Sequence, residues 1–308
     1  MAACGMMHIT KEGNHPMRLT KRELMADGVL LLTALIWGSA FAIVKNSLDA
    51  FAPAMLITLR YVIATPLAAL AFRKHLRGLT RADVLRGALV GVILGAAYIA
   101  QTVGLAYTTA GKNAFLTAVY VLIVPFISLL CFMQKLRSAN FIAAGLMVLG
   151  IGALSLDGEG GGLNAGDVLT LLCSVLFAAH IVAVERCQKK TDAYALIVLQ
   201  FAFCAVTSLA YSLIFERGAP MQFSRGSVIG LLYLSVLSTT VGMSLQNIGQ
   251  SMAPASHASI LLSLESVFGV IFSCIILGET VTGKMLLGFV MIFAAVLVSE
   301  MTPKQMDR

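Results

Sequence analysis

Ten apolar runs divide this sequence, at residues 28–45, 53–72, 84–106, 113–133, 140–156, 167–185, 193–215, 227–248, 255–277 and 282–299. A helix needs about 20 residues to cross a ~30 Å hydrocarbon core, and each run is close to that length. Inside a bilayer every backbone N–H and C=O must find its partner within the protein, so runs of this length must be helices. Composition agrees. The chain is 58% hydrophobic and 12% charged, where a soluble domain carries about 25% charged residues. Its mean hydropathy is +0.89. The expected fold is an all-α integral membrane protein with ten transmembrane helices, and the lipid bilayer is its first partner.

The net charge of +7 does not point to nucleic acid. Basic residues fall in short clusters between apolar runs, as the positive-inside rule arranges them. With the N-terminus in the cytoplasm, sixteen of the 22 Lys and Arg fall on inside segments, the densest being Arg73, Lys74, Arg77, Arg81 and Arg86. Lys45, Lys112, Arg217, Arg225 and Lys284 fall outside, and Arg60 lies within the second run. This bias places both termini in the cytoplasm. A signal-peptide reading of Lys21, Arg22 and Ala40-Phe41-Ala42 is set aside, because the apolar run continues through Ile43 and Val44 and cleavage would spoil the charge alternation. The six cysteines, Cys4, Cys131, Cys173, Cys187, Cys204 and Cys274, form no C-x-x-C pair and read as small packing residues.

The runs divide five and five around a Gly-rich stretch. The expected organisation is a cytoplasmic tail at 1–27, a first five-helix repeat at 28–156, a linker loop at 157–166, a second repeat at 167–299 and a cytoplasmic tail at 300–308. Five is odd, so the second repeat must enter the membrane from the opposite side, an inverted repeat. Gly87, Gly91 and Gly95 on the third run, and Ala110, Ala114 and Ala118 on the fourth, recur every four residues as ridges for close helix contact. Gly145, Gly150 and Gly152 suggest the same on the fifth.

Polar groups in a bilayer are costly, so each one invites an explanation. Tyr98, Gln101 and Thr102 share one helical face; Asn113, Thr117 and Tyr120 share another; Ser235, Thr239 and Gln246 share a third. Such faces supply either a polar cavity or interhelical hydrogen bonds, and the cavity is favoured for Tyr98, Gln101 and Asn113. Arg60 either snorkels to the surface or pairs with a carboxylate. Lys112 opens the fourth helix, as an anion-attracting group at the mouth or an interfacial anchor. His180 shares its face with Cys173 and Phe177. Glu265, near the middle of the ninth run, points away from the serine stripe Ser256, Ser259, Ser263 and Ser266, which reads as a packing ridge. The candidate substrate-binding residues are therefore Tyr98, Gln101, Asn113, Tyr120, His180 and Gln246. Glu265, Arg60 and Lys112 are the candidates for coupling or charge pairing.

Several local patterns together resemble the EamA type of the drug/metabolite transporter superfamily. They are Trp37-Gly38-Ser39-Ala40-Phe41, the stretch Gly104-Leu105-Ala106-Tyr107-Thr108-Thr109-Ala110, Pro125, Gly166-Asp167 and Gly278-Glu279. The resemblance covers about residues 28–299. It implies ten helices in two tandem repeats around a central cavity, in a bacterial inner membrane. The family often has proline after an acidic residue in the ninth helix. Here Ser266 follows Glu265, which leaves the family's helix break without its proline.

The leading functional expectation is a secondary transporter, in the exporting direction, for a small polar metabolite such as an amino acid or related carboxylate. Proton coupling through Glu265 is the mechanism considered. No Walker motif is present to couple ATP hydrolysis. A membrane-embedded enzyme would need a nucleophile–base pair or a metal set, and neither HExxH nor GxSxG occurs. A membrane scaffold would not need polar faces on several helices. No cofactor and no metal is expected.

Overall fold

A computed structural model describes residues 21–132, 138–155, 163–219 and 221–300. Residues 1–20 of the expected N-terminal tail (1–27), 157–162 of the expected linker (157–166) and 301–308 of the expected C-terminal tail (300–308) lie outside the described residues. The described chain is helical, with no strand among its residues. The helices are α1 (Lys21–Ser47), α2 (Pro53–Ala71), α3 (Arg81–Ala106), α4 (Ala110–Thr117), α5 (Tyr120–Phe132), α6 (Ser138–Ser155), α7 (Ala165–Gln188) and α8 (Ala193–Phe215). They continue with α9 (Arg225–Leu232), a π-helical stretch (Tyr233–Met243), α10 (Ser244–Met252), α11 (Ala255–Ser263), α12 (Glu265–Leu277) and α13 (Gly283–Glu300).

Among the described residues, eight spans are long and apolar enough to cross a membrane; two further apolar stretches, Phe141–Ala153 and Gly283–Ala295, are shorter. These two occupy the expected fifth and tenth segments. The first helix is already formed at Lys21, ahead of the apolar run and inside the stretch expected to be tail. Its first turns are tied down, because Arg22 donates to the carbonyl of Ser251 and Ala26 is buried.

Two segments expected to be continuous are broken. The fourth divides at Ala118–Val119 into α4 and α5. Pro125 has no N–H to give the carbonyl of Val121 and crowds it. The turn ahead of it tightens to three-residue spacing, with Leu122 N bonding to Val119 O at 3.0 Å. The ninth divides at Leu264, directly before Glu265, although no proline is present. Ser263 and Ser266 donate to the carbonyls of Ile260 and Ser263, each three residues back. Such back-bonding competes with the helix ladder and bends it. The serine stripe thus weakens its own backbone.

Helix pairings follow a regular scheme. α1 runs parallel to α11 and α12, with Asp27 against His257 and Gly38 against Phe268. α7 runs parallel to α4 and α5, with Asp167 against Lys112 and Arg186 against the carbonyl of Cys131. α3 lies antiparallel to α7, Gly104 meeting Gly166 while Val90 packs with Val184. α1 lies antiparallel to α9 and α10, Ser47 meeting Gly230 while Leu30 meets Gly249. α4 packs on α12, α5 on α11 and α6 on α13.

The glycine ridge on α3 serves as a contact with α8: a Cβ at Gly91 would come within 2.6 Å of the Cβ of Phe203, and one at Gly95 within 2.9 Å of that of Thr207. On α6 only part of the expected ridge is used. Gly150 abuts Ile292 of α13, while Gly145 and Gly152 face open space.

Candidate functional site

Around the middle of the bundle, α1, α2, α3, α5, α7, the π-helical stretch, α10, α11 and α12 line a narrow cavity of about 40 Å³. Its wall is mainly apolar and aromatic, including Trp37, Phe41, Tyr98, Phe177 and Leu262. Into it project Arg60, Gln101, Tyr120, His180, Gln246 and Glu265. The structure therefore brings together Arg60, Tyr98, Gln101, Tyr120, His180, Gln246 and Glu265, drawn from both halves of the sequence.

Arg60 is 2% exposed and does not snorkel. Its Nε and Nη2 both donate to Thr239 Oγ1, at 3.2 and 3.1 Å, and its guanidinium lies 5.1 Å from the centre of the Tyr98 ring. Among the described residues no carboxylate comes within ion-pair distance of it. The π-helical stretch, which the sequence did not suggest, carries Thr239 at this contact. It also carries Ser238, whose carbonyl accepts Trp37 Nε1 at 3.0 Å. Gly242 leaves room for the indole, since a Cβ there would stand 2.7 Å from Trp37 Nε1. Trp37 entered the sequence reading only as part of a motif; here it is a wall of the cavity.

Glu265 is 4% exposed at the first turn of α12, beside the Tyr120 hydroxyl. The Gln246 Oε1 is buried without a hydrogen bond. Buried polar atoms are nearly always satisfied, so an orphan on the cavity lining marks a place where another molecule's polar group fits.

Gln101 Nε2 donates to Thr117 Oγ1 at 3.2 Å. Asn113 stands one layer behind the wall. It is fully buried, and its Nδ2 donates to Thr170 Oγ1 at 2.7 Å and to the Gln101 carbonyl at 3.3 Å. Lys112 is farther off, at the end of the bundle, where its Nζ pairs with Asp167 Oδ2 at 2.9 Å. Asp167, fully buried, also accepts Thr108 Oγ1 at 2.7 Å. At the other end His257 Nε2 meets Asp27 Oδ1 at 2.7 Å. Two glutamates hold the starts of the broken segments: Glu279 accepts Ala110 N and Gly111 N, and Glu185 accepts Ala255 N. No group of three or more His, Cys, Asp or Glu suited to a metal occurs among the described residues.

The profile of the EamA-like transporter family matches twice, over residues 24–156 and 164–301. The chain belongs to the EamA-like transporter family. It is thus a multi-pass membrane transporter. Among EamA-like relatives, an uncharacterized transporter of Archaeoglobus fulgidus is 32% identical over 90% of this chain and 86% of its own length. A protein of Salmonella typhimurium named "Probable amino-acid metabolite efflux pump" is 23% identical over 89% of this chain and 94% of its own. One solved crystal structure shares the fold, with a TM-score of 0.68 at 17% identity over 89% of this chain and 96% of that one.

Other polar residues of the EamA-like bundle escaped the sequence reading. Gln200 and Asn247, both fully buried, connect His180 to the far side of α10. Gln200 is a lone amide in an apolar run and Asn247 follows directly on Gln246, which was the available signal.

Proposed function

We propose that this chain is a secondary transporter that exports a small carboxylate-bearing metabolite, such as an amino acid or a related compound, across a bacterial inner membrane. The carrying observation is Arg60, a buried guanidinium on a cavity wall with no carboxylate partner among the described residues. A cation removed from water needs a counter-charge or dense hydrogen bonding. Thr239 gives it one acceptor, and a solute carboxylate would give the rest. Tyr98, Gln101, Tyr120, His180 and Gln246 are the proposed hydrogen-bonding wall, and Asn113 supports Gln101 from behind. Glu265 is the proposed proton-exchanging group. The name of the Salmonella relative favours the same solute class.

The reading includes ten membrane-spanning helices as two inverted five-helix repeats, with both termini cytoplasmic. Two matches of one family profile support it. So do the helix pairings. Exchanging the first five segments for the last five converts the α1 pairing with α11 and α12 into the α7 pairing with α4 and α5. Inverted halves that rock against each other around a central site would give alternating access. In this scheme the Lys112–Asp167 and Asp27–His257 pairs tie the two ends of the bundle.

An untargeted comparison of metabolites retained and exported by cells with and without the protein tests the assignment. Carboxylate-bearing solutes should accumulate inside cells that lack it. A change confined to cationic or uncharged solutes would overturn it.

A further inference from the structure

We propose that Gln200 and Asn247 are positioning residues that fix the tautomer of His180, so that its imidazole offers the cavity a hydrogen-bond acceptor. The inference deepens the reading above and rests on it only for the identity of the solute.

The polarity of the relay follows from one backbone atom. Asn247 lies 2.8 Å from the carbonyl oxygen of Met243, which can only accept. The Asn247 atom facing it must therefore be Nδ2, since an oxygen there would face another oxygen. That orientation turns Asn247 Oδ1 toward Gln200, which must donate from its Nε2, at 3.0 Å. Gln200 then has only Oε1 to present to His180, and His180 Nε2 stands 2.9 Å from it. A nitrogen facing a carbonyl-type oxygen must carry the proton. The neutral ring is thus protonated on Nε2, and Nδ1 is left as a lone pair. Met243 O, Asn247, Gln200 and His180 form a one-way chain from the end of the π-helical stretch through α10 and α8 to α7.

Burial makes the chain firm. Gln200 and Asn247 are fully buried, so no water is on hand to replace a lost partner. His180 is 1% exposed and lines the cavity, while its Nε2 is turned away into the relay. The hydrogen bond recorded for the ring is made through Nε2. The cavity thus presents an anion-accepting guanidinium at Arg60 and a neutral acceptor at His180. A solute suited to both carries a carboxylate and a separate N–H or O–H donor. A simple alkyl carboxylate satisfies only the first.

Two measurements decide this. The first is 15N NMR of histidine-labelled protein in nanodiscs at neutral pH, with the His180 signals assigned through a His180→Phe variant. The wild type should show a single tautomer protonated on Nε2, while Gln200→Leu and Asn247→Leu should give a mixture. A wild-type ring protonated on Nδ1, or variants that leave the tautomer unchanged, would overturn the lock. The second is a titration of Trp37 fluorescence with L-leucine and with 4-methylpentanoate, which differ only in the amino group. The wild type should bind leucine on the order of tenfold more tightly, a difference of about 1.4 kcal/mol. His180→Phe should bring the two together. Equal binding in the wild type would overturn the acceptor role. If neither compound binds, the carboxylate assignment under Proposed function fails, and the NMR result still decides the tautomer.

Discussion

Lys112 and Asp167 meet at 2.9 Å across the starts of α4 and α7, the lysine 12% exposed and the aspartate fully buried. Asp167 serves three purposes at once. It caps its own helix with Asn164, accepts from Thr108 and neutralises Lys112. Removing one partner of a buried pair leaves a charge unanswered. Asp167→Asn should lower stability by on the order of 3 kcal/mol. It should also lower the melting temperature of the purified protein. Lys112→Met leaves a buried carboxylate that still has hydrogen bonds, so its loss should be smaller. Equal melting temperatures for Asp167→Asn and wild type would show that the pair contributes nothing to the fold.

Trp37 is the sole tryptophan of the chain and lines the cavity. Carboxylate-bearing solutes that enter should therefore change the intrinsic fluorescence in a saturable way, with no label attached. Trp37→Phe should abolish the signal, and losing the bond to the Ser238 carbonyl should cost about 1 kcal/mol of stability. A transported solute that leaves the fluorescence untouched at saturating concentration would place its site elsewhere.

Arg60 separates function from stability. A buried guanidinium whose described partners are a hydroxyl and an aromatic face is an expensive group to retain. Arg60→Gln should therefore leave the melting temperature unchanged or raise it. The affinity for carboxylate solutes should fall at least tenfold, about 1.4 kcal/mol or more. Arg60→Lys keeps the charge but loses the two-nitrogen grip on Thr239, so an intermediate affinity is expected. Normal affinity in Arg60→Gln would remove the residue from the site.

Gln101 and Asn113 distinguish a wall from its support. Gln101→Leu alters the cavity surface and should weaken solute binding with little effect on stability. Asn113→Leu breaks the fully buried bond to Thr170 and should destabilise by about 1–3 kcal/mol. Thermal melts and Trp37 titrations of both variants check the distinction, and the opposite pattern would exchange the two roles.

Much of this cavity was legible because polar side chains are scarce in a bilayer. Arg60, His180 and Glu265 drew notice as ionisable groups inside apolar runs, and Tyr98, Gln101 and Gln246 as polar faces on helices. What periodicity conceals is depth. Asn113 and Gln101 share the same kind of signal, yet one lies behind the other. The Lys112–Asp167 pair joins distant segments, and nothing in spacing names its partner. The break before Glu265 was hidden because its cause is serine back-bonding rather than proline. The π-helical stretch was hidden as well, since its residues fit an ordinary helical period. That stretch sets where Thr239 and Ser238 point, and so fixes Arg60 and Trp37.

Glu265 is the proposed coupling residue. It stands at the first turn of α12, directly after the break at Leu264, with its carboxyl in the cavity beside the Tyr120 hydroxyl. A helix start favours a negative group, because unpaired backbone N–H groups and the helix dipole point toward it. Burial opposes the charge. In the proposed scheme a group under these opposed influences exchanges a proton as the surroundings of the break change between two access states. Glu265→Gln isolates the titration, since glutamine keeps the shape and the hydrogen bonding but cannot release a proton. In proteoliposomes with an imposed pH gradient, Glu265→Gln should lose gradient-driven accumulation while retaining solute exchange at equal pH on both sides. Glu265→Asp should preserve accumulation at a reduced rate, because the shorter side chain titrates but draws back from Tyr120. Tyr120→Phe should leave coupling intact and change only its pH dependence. Full gradient-driven accumulation by Glu265→Gln would show that the carboxyl is structural and that any coupling proton travels by another route.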